Sequence, residues 1–180
     1  MAHNIILTGF MATGKSAVGQ LVAERLGREL VDMDALIELQ AGKTIARIFS
    51  EEGEAAFRQR EAALCAEQSQ RQGLVISTGG GALVNPDNRA VMMQSGVVVC
   101  LSAHADEILR RLRSMPPGER PLLDVPDPRA EIERLLQSRR AAYSAMDWQV
   151  DTTELTIDQA AERVIEIASE QTSSTLPVHH

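Results

Sequence analysis

Asn4-Ile5-Ile6-Leu7-Thr8-Gly9-Phe10-Met11-Ala12-Thr13-Gly14-Lys15-Ser16 stands near the start of the chain and decides its fold. The run 4–8 is short and apolar and stops at a glycine, the pattern of a buried strand. Residues 9–16 match G-x-x-x-x-G-K-[ST] in full. A helical pattern follows over 15–26 and ends at Gly27. In a strand–turn–helix of this kind the backbone N–H groups wrap a phosphate, and the helix N-terminus adds positive potential. The lysine then reaches the β- and γ-phosphates, and the Ser16 hydroxyl can ligate Mg2+. Alone, the motif establishes nucleotide binding and no more, because switch GTPases, motor ATPases and kinases share it.

Outward from this stretch, short apolar runs alternate with helical patterns. Strands are expected over 29–32, 74–77, 97–101 and 148–151. Helices are expected over 34–40, 44–49, 53–72, from Asn85-Pro86 onward, over 105–113 and from Asp127-Pro128 to about 146. Thr156 and Gln159 form a capping box that opens a last helix. Strict alternation implies a three-layer α/β/α architecture: a five-stranded parallel sheet with helices on both faces. Residues 1–170 read as one domain. Residues 113–126 carry four prolines, a glycine and two arginines, Arg113 and Arg120. A connection that long points to a mobile lid. The polar stretch 171–180 reads as a disordered tail.

Composition narrows the partners. The chain has 180 residues and a formal net charge of −7, which argues against nucleic acid or an anionic membrane as a partner. No basic segment leads into a long apolar run near the N-terminus, so neither a signal peptide nor a membrane span is expected. Cys65 and Cys100 have no metal-ligand spacing; they read as core thiols in a reducing, cytoplasmic setting. Trp148 and Tyr143 read as packing residues.

Three features separate the chain from a switch GTPase. It is short and lacks a base-reading N-K-x-D. The third strand runs into Gly79-Gly80-Gly81 rather than a Walker-B aspartate. The arginine-bearing lid comes late. To these are added Asp32-Met33-Asp34 closing the second strand, Phe57-Arg58 with Glu61 one turn on, Arg120-Pro121-Leu122-Leu123, and Arg139 four residues before Tyr143. This set, in this order, resembles the shikimate kinases over essentially residues 4–168.

The resemblance implies a P-loop kinase with strand order 2-3-1-4-5, a substrate region at 33–61, and ATP and shikimate as substrates of a cytoplasmic monomer. It implies ATP contacts from Ala12, Thr13, Gly14, Lys15, Ser16, Ala17 and Arg120, with Arg110 on adenine. Mg2+ would be held by Ser16 and Asp32. Asp34 would bind the shikimate hydroxyls and orient or deprotonate the attacking one. Arg58 and Arg139 would clamp the carboxylate, with Arg140 the neighbouring alternative to Arg139. Gly79, Gly80 and Gly81 would admit the ligand to the backbone, and Phe49 and Phe57 would wall the pocket. The residues themselves agree: a carboxylate calls for guanidinium forks, a polyol for a carboxylate acceptor, and phosphoryl transfer for positioning and cations.

The chain departs from the family pattern at Ala12, where glycine is common, at Ala17, where a hydroxyl is usual, and in the loop 152–156, which lacks a proline. Two other readings stand beside the first. One is a kinase of another hydroxy acid such as gluconate, which needs no Asp34, Arg58 and Arg139 set. The other is a non-catalytic ATP-binding protein, in which at least one catalytic position should have decayed.

Overall fold

The computed structural model describes residues 3–115 and 125–174, with side chains through residue 171. The expected lid lies outside the described residues except for its ends, and Arg120 lies outside them too.

Five strands form one sheet: β1 (Asn4–Gly9), β2 (Leu30–Asp32), β3 (Val75–Ser77), β4 (Gly96–Ser102) and β5 (Trp148–Asp151). Their order is β2-β3-β1-β4-β5, and every pairing is parallel. The chain leaves β1 toward one edge and later returns to β4 on its other side. The carboxyl end of β1 is therefore the switch point, where α/β sheets open a ligand crevice.

Among the described residues, seven helices cover the sheet: α1 (Lys15–Leu26), α2 (Met33–Ala41), α3 (Ile45–Ser69), α4 (Pro86–Ser95), α5 (Ala105–Ser114), α6 (Pro128–Ser144) and α7 (Ile157–Ser174). Their starts are written in polar caps. Asn85 accepts from the Asp87 N–H at 2.8 Å, with Pro86 at the first helical position. Thr156 and Gln159 exchange backbone-to-side-chain bonds at 3.0 and 3.2 Å, as the capping box requires.

The helices expected over 44–49 and 53–72 both form and run together in α3, joined across a kink at Gly53, whose φ of 85° and ψ of 169° are non-helical and favour glycine. A 3-10 turn at Ala82–Val84, unforeseen from the sequence, follows the triple glycine. Residues 171–174, expected with the tail, continue α7.

Alternation along the strands sorts the core. Ile6, Ile76, Val98 and Cys100 face one side with Met33, Ile37, Ile48, Leu64 and Met92. Ile5, Leu7, Val75, Val99, Leu101 and Val150 face the other with Val18, Val22, Ala161 and Val164. A third cluster sits beyond the strand ends, where Phe10 packs on Ile108, Leu112 and Ile132 of α5 and α6. That cluster is the floor on which the site stands. Both cysteines are buried and free; burial raises Cys65 to about 12 and Cys100 to about 11.

Candidate active site

The turn after β1 is held by close backbone contact. Gly9 has φ of 134°, and a methyl group there would lie 2.0 Å from the Leu101 carbonyl oxygen. Gly14 takes φ of 100° immediately before α1. Ala12 takes φ of 59° and is the one non-glycine residue with positive φ among the described residues. The Phe10 carbonyl accepts from the Thr13 hydroxyl at 2.7 Å and from Lys15 Nζ at 2.8 Å. Burial lowers the Lys15 ammonium to about 8, against the opposing pull of Asp34 first and Asp32 after it.

Asp32 has two tasks, one for each oxygen. Oδ1 caps α2 by accepting from the Asp34 and Ala35 N–H groups, each at 3.1 Å. Oδ2 accepts from the Ser16 hydroxyl at 3.1 Å. A carboxylate and a hydroxyl oxygen thus stand side by side at the start of α1. Hard oxygen donors of this kind suit Mg2+, which takes one or two protein oxygens and completes its shell with phosphate and water. No group of three or more His, Cys, Asp or Glu residues arranged for a metal occurs among the described residues.

Asp34 lies in the first turn of α2, whose fully buried Met33 and Ile37 pin that turn to the core. Burial raises its carboxyl above the usual range; Asp32 adds to the shift and Lys15 opposes it.

The triple glycine is where the remaining side chains meet. A methyl group on Gly79 would lie 2.7 Å from Asp34 Oδ1 and 2.9 Å from Glu61 Oε1. On Gly80 it would lie 3.1 Å from the Gly9 carbonyl oxygen and 3.3 Å from Arg139 Nη1. On Gly81 it would lie 2.7 Å from Arg58 Nη1. Each glycine therefore makes room for a different polar group. Arg139 donates to the Gly80 carbonyl at 3.2 Å and lies over the Phe10 ring, 5.3 Å from its centroid. Arg140 lines a different groove, with Glu133 and Gln137. The geometry thus joins Arg139, not Arg140, to the glycines.

Arg58 donates to Glu54 Oε1 at 3.2 and 3.1 Å and pairs with Glu61 Oε2. Phe57 is buried beside it, packed on the more exposed Phe49 with ring centroids 4.9 Å apart and the rings tilted by 42°.

A cavity of about 510 Å³ opens on the other side of the turn. Thr13, Gly14, Ala17, Arg110, Arg111 and the loop 152–157 line it. Arg110 reaches it from α5 but is held by both Glu107 oxygens at 2.7 Å. The departure at Ala17 lies on this wall.

Three residues escaped sequence reasoning. Glu61, there only a spacing marker, is 1% exposed, and its Oε1 has no hydrogen-bond partner among the described residues. Burial raises its carboxyl and Arg58 opposes the shift. A glutamate one turn from Arg58 was visible, but nothing in the pattern showed it to be buried. Tyr143 packs as expected, yet its hydroxyl also donates to the Gly80 carbonyl at 2.7 Å. Arg111 joins three segments distant in sequence, a role only tertiary structure reveals.

A parallel sheet in this order, a phosphate-binding turn at its switch point and a facing pocket of carboxylates and guanidiniums define a P-loop kinase of small molecules. Comparison with known proteins narrows the class. Residues 11–169 match the family model "Shikimate kinase". The shikimate kinase of Pelotomaculum thermopropionicum is 43% identical over 93% of this chain and 96% of its own. The crystal structure of shikimate kinase from Acinetobacter baumannii in complex with shikimate superposes with a TM-score of 0.85 at 36% identity, covering 98% of this chain and 97% of that one. The chain belongs to the shikimate kinase family. A gluconokinase from Sinorhizobium meliloti shares the fold at a TM-score of 0.60 and 16% identity, over 97% of this chain and 98% of that one.

Proposed function

We propose that the chain transfers the γ-phosphate of ATP to the 3-hydroxyl of shikimate, giving shikimate 3-phosphate and ADP. The observation that carries this reading is Gly80. A methyl group there would lie within 3.1 Å of the Gly9 carbonyl oxygen and 3.3 Å of Arg139 Nη1, so the phosphate turn and the Arg139 guanidinium meet at this glycine. A molecule bound beside this glycine would meet an anion-binding arginine and the phosphate turn together.

In this reading Arg58 and Arg139 hold the carboxylate, and Phe49 and Phe57 wall the ring. Asp34 accepts the hydrogen of the attacking hydroxyl, and its raised pKa suits it to take that proton as the new P–O bond forms and ADP leaves. Lys15 sits on the β- and γ-phosphates with Ala12, Thr13, Gly14 and Ser16 around them, and the binding event itself restores its proton. The sequence pattern adds Arg120 as a further cation on the phosphates. Adenine enters the cavity beside Arg110 and the loop 152–157. Ser16 and Asp32 would hold Mg2+, which would supply charge neutralisation at the phosphates.

No helix among the described residues is long and apolar enough to cross a membrane. The clamp and the phosphate turn belong to one chain, which supports a monomer, and two free, buried thiols fit a reducing cytoplasm. The test is ADP release with Mg-ATP and, in parallel, shikimate, gluconate or no acceptor. Release with shikimate alone is expected. Release with gluconate, or none with either acid, would overturn the substrate assignment.

A further inference from the structure

Arg111 is a cation that the reaction just described does not use. It stands on α5 and spends four N–H groups on three segments. Nε donates to Glu107 Oε1 at 2.7 Å. Nη1 donates to the Ala12 carbonyl at 3.1 Å and to Thr152 Oγ1 at 3.0 Å. Nη2 donates to the Thr152 carbonyl at 2.5 Å. Thr152 is itself only 3% exposed. Its backbone N–H donates to the Ser102 carbonyl at 2.8 Å, and its hydroxyl hydrogen is shared between the Thr13 carbonyl at 2.9 Å and the Ser102 carbonyl at 3.0 Å. Two successive carbonyls of the phosphate turn, those of Ala12 and Thr13, are thus drawn to the same side by a half-buried arginine and a buried threonine.

Peptide planarity converts this into a consequence for the site. In a trans peptide the C=O and the N–H of the same unit point opposite ways. Fixing the Ala12 carbonyl aims the Thr13 N–H away from Arg111, and fixing the Thr13 carbonyl aims the Gly14 N–H away from Thr152. N–H groups aimed in common make the concave anion site of such a turn. The grip also falls where it is most needed. Ala12 holds φ of 59° without being glycine, a conformation that costs an L-residue about 1 kcal/mol.

We propose that Arg111 and Thr152 are positioning residues that preset the phosphate turn, holding Ala12 left-handed so that the Thr13 and Gly14 N–H groups face the polyphosphate before nucleotide arrives. This rests on the reading of the turn as the ATP site. Neither side chain needs to touch the nucleotide for it to act.

Arg111 also lines the cavity beside the turn, so the experiment must separate a preset turn from direct contact with a base. Calorimetric binding of inorganic tripolyphosphate and of ADP to wild type, Arg111→Ala, Arg111→Lys and Thr152→Val does so. Tripolyphosphate has no base, and Thr152→Val removes one hydroxyl while keeping every charge. The expected result is about a tenfold weaker binding of both ligands in Arg111→Ala, a several-fold loss in Thr152→Val, and only partial recovery in Arg111→Lys. The KM for shikimate stays unchanged throughout. Unchanged tripolyphosphate binding in Arg111→Ala overturns the proposal, as does full recovery by lysine together with no loss in Thr152→Val, since charge alone would then suffice. A wild type that binds neither ligand overturns the nucleotide reading itself, and this proposal with it. Should Arg111→Ala fail to fold, Thr152→Val decides alone.

Discussion

Arg58→Ala should do two separable things, and the structure says how large each is. The guanidinium is held by Glu54 at 3.1 Å and pairs with Glu61. Glu61 is 1% exposed, and its second oxygen already lacks a partner. Breaking a buried ion pair from one side costs about 3–5 kcal/mol. The Arg58 side chain is 39% exposed, so solvent screens part of the pair and about 2 kcal/mol is the better figure. For a chain of this size that lowers Tm by roughly 4–8 °C.

The loss depends on pH with a definite sign. Burial already puts the Glu61 carboxyl above its unfolded value, and Arg58 holds it down. A carboxyl raised in the folded state binds its proton more tightly there than in the unfolded chain. It therefore destabilises as pH rises from the unfolded pKa through the folded one. Without Arg58 the folded pKa climbs further. The deficit should then be smaller at pH 5, where the raised pKa lets the variant's Glu61 take up a proton more readily, than at pH 8. Arg58→Ala/Glu61→Gln should recover most of it at pH 8.

Independently, loss of one arm of the clamp should raise the KM for shikimate by roughly ten- to a hundredfold, with the KM for ATP unchanged. Thermal unfolding at the two pH values and steady-state kinetics read both effects. An equal Tm loss at pH 5 and pH 8 would refute the account of Glu61, and an unchanged KM for shikimate would refute the clamp.

Three further outcomes follow from the phosphate side of the site. Lys15 titrates near 8 in the free protein; only its protonated form attracts phosphate, so kcat/KM for ATP should fall about tenfold per unit above that pH, and a flat profile to pH 9.5 would contradict this. Ala12→Gly removes the cost of φ at 59° and should stabilise by about 0.5 kcal/mol net of the added chain entropy, a Tm rise of roughly 1–2 °C; a lower Tm would show that the turn does not strain Ala12. Asp34→Asn should leave ADP affinity unchanged while cutting kcat by roughly 10²–10⁴-fold, and undiminished turnover would remove Asp34 from the chemistry.

How much of this was legible beforehand depends on the distance over which each feature is encoded. Strands, caps and the phosphate turn are local patterns, and β1 through α1 stand where the first sixteen residues place them. Strand order followed from alternation together with the family pattern. The division at Gly53 was legible because a glycine in mid-pattern ends a helix, and the structure places the kink between the two helical stretches there. Arg139 and Arg140 are neighbours, and only the packing of α6 decides which one reaches Gly80. Glu61 and Arg111 were missed for a related reason. Their partners lie on other elements, or their significance rests on burial, and neither is written in the residues beside them. The departure at Ala12 was read as a demand on the backbone, and the structure shows that demand as a left-handed alanine whose carbonyl is gripped from α5.

The central claim is that the γ-phosphate of ATP passes to a shikimate hydroxyl. Phosphorus NMR of the protein with Mg-ATP and shikimate tests it most directly. The account predicts that the γ resonance is replaced, mole for mole, by a phosphate monoester coupled to a ring proton, as ADP accumulates at the same rate. ADP accompanied only by inorganic phosphate, or a γ resonance that persists with shikimate present, would contradict it.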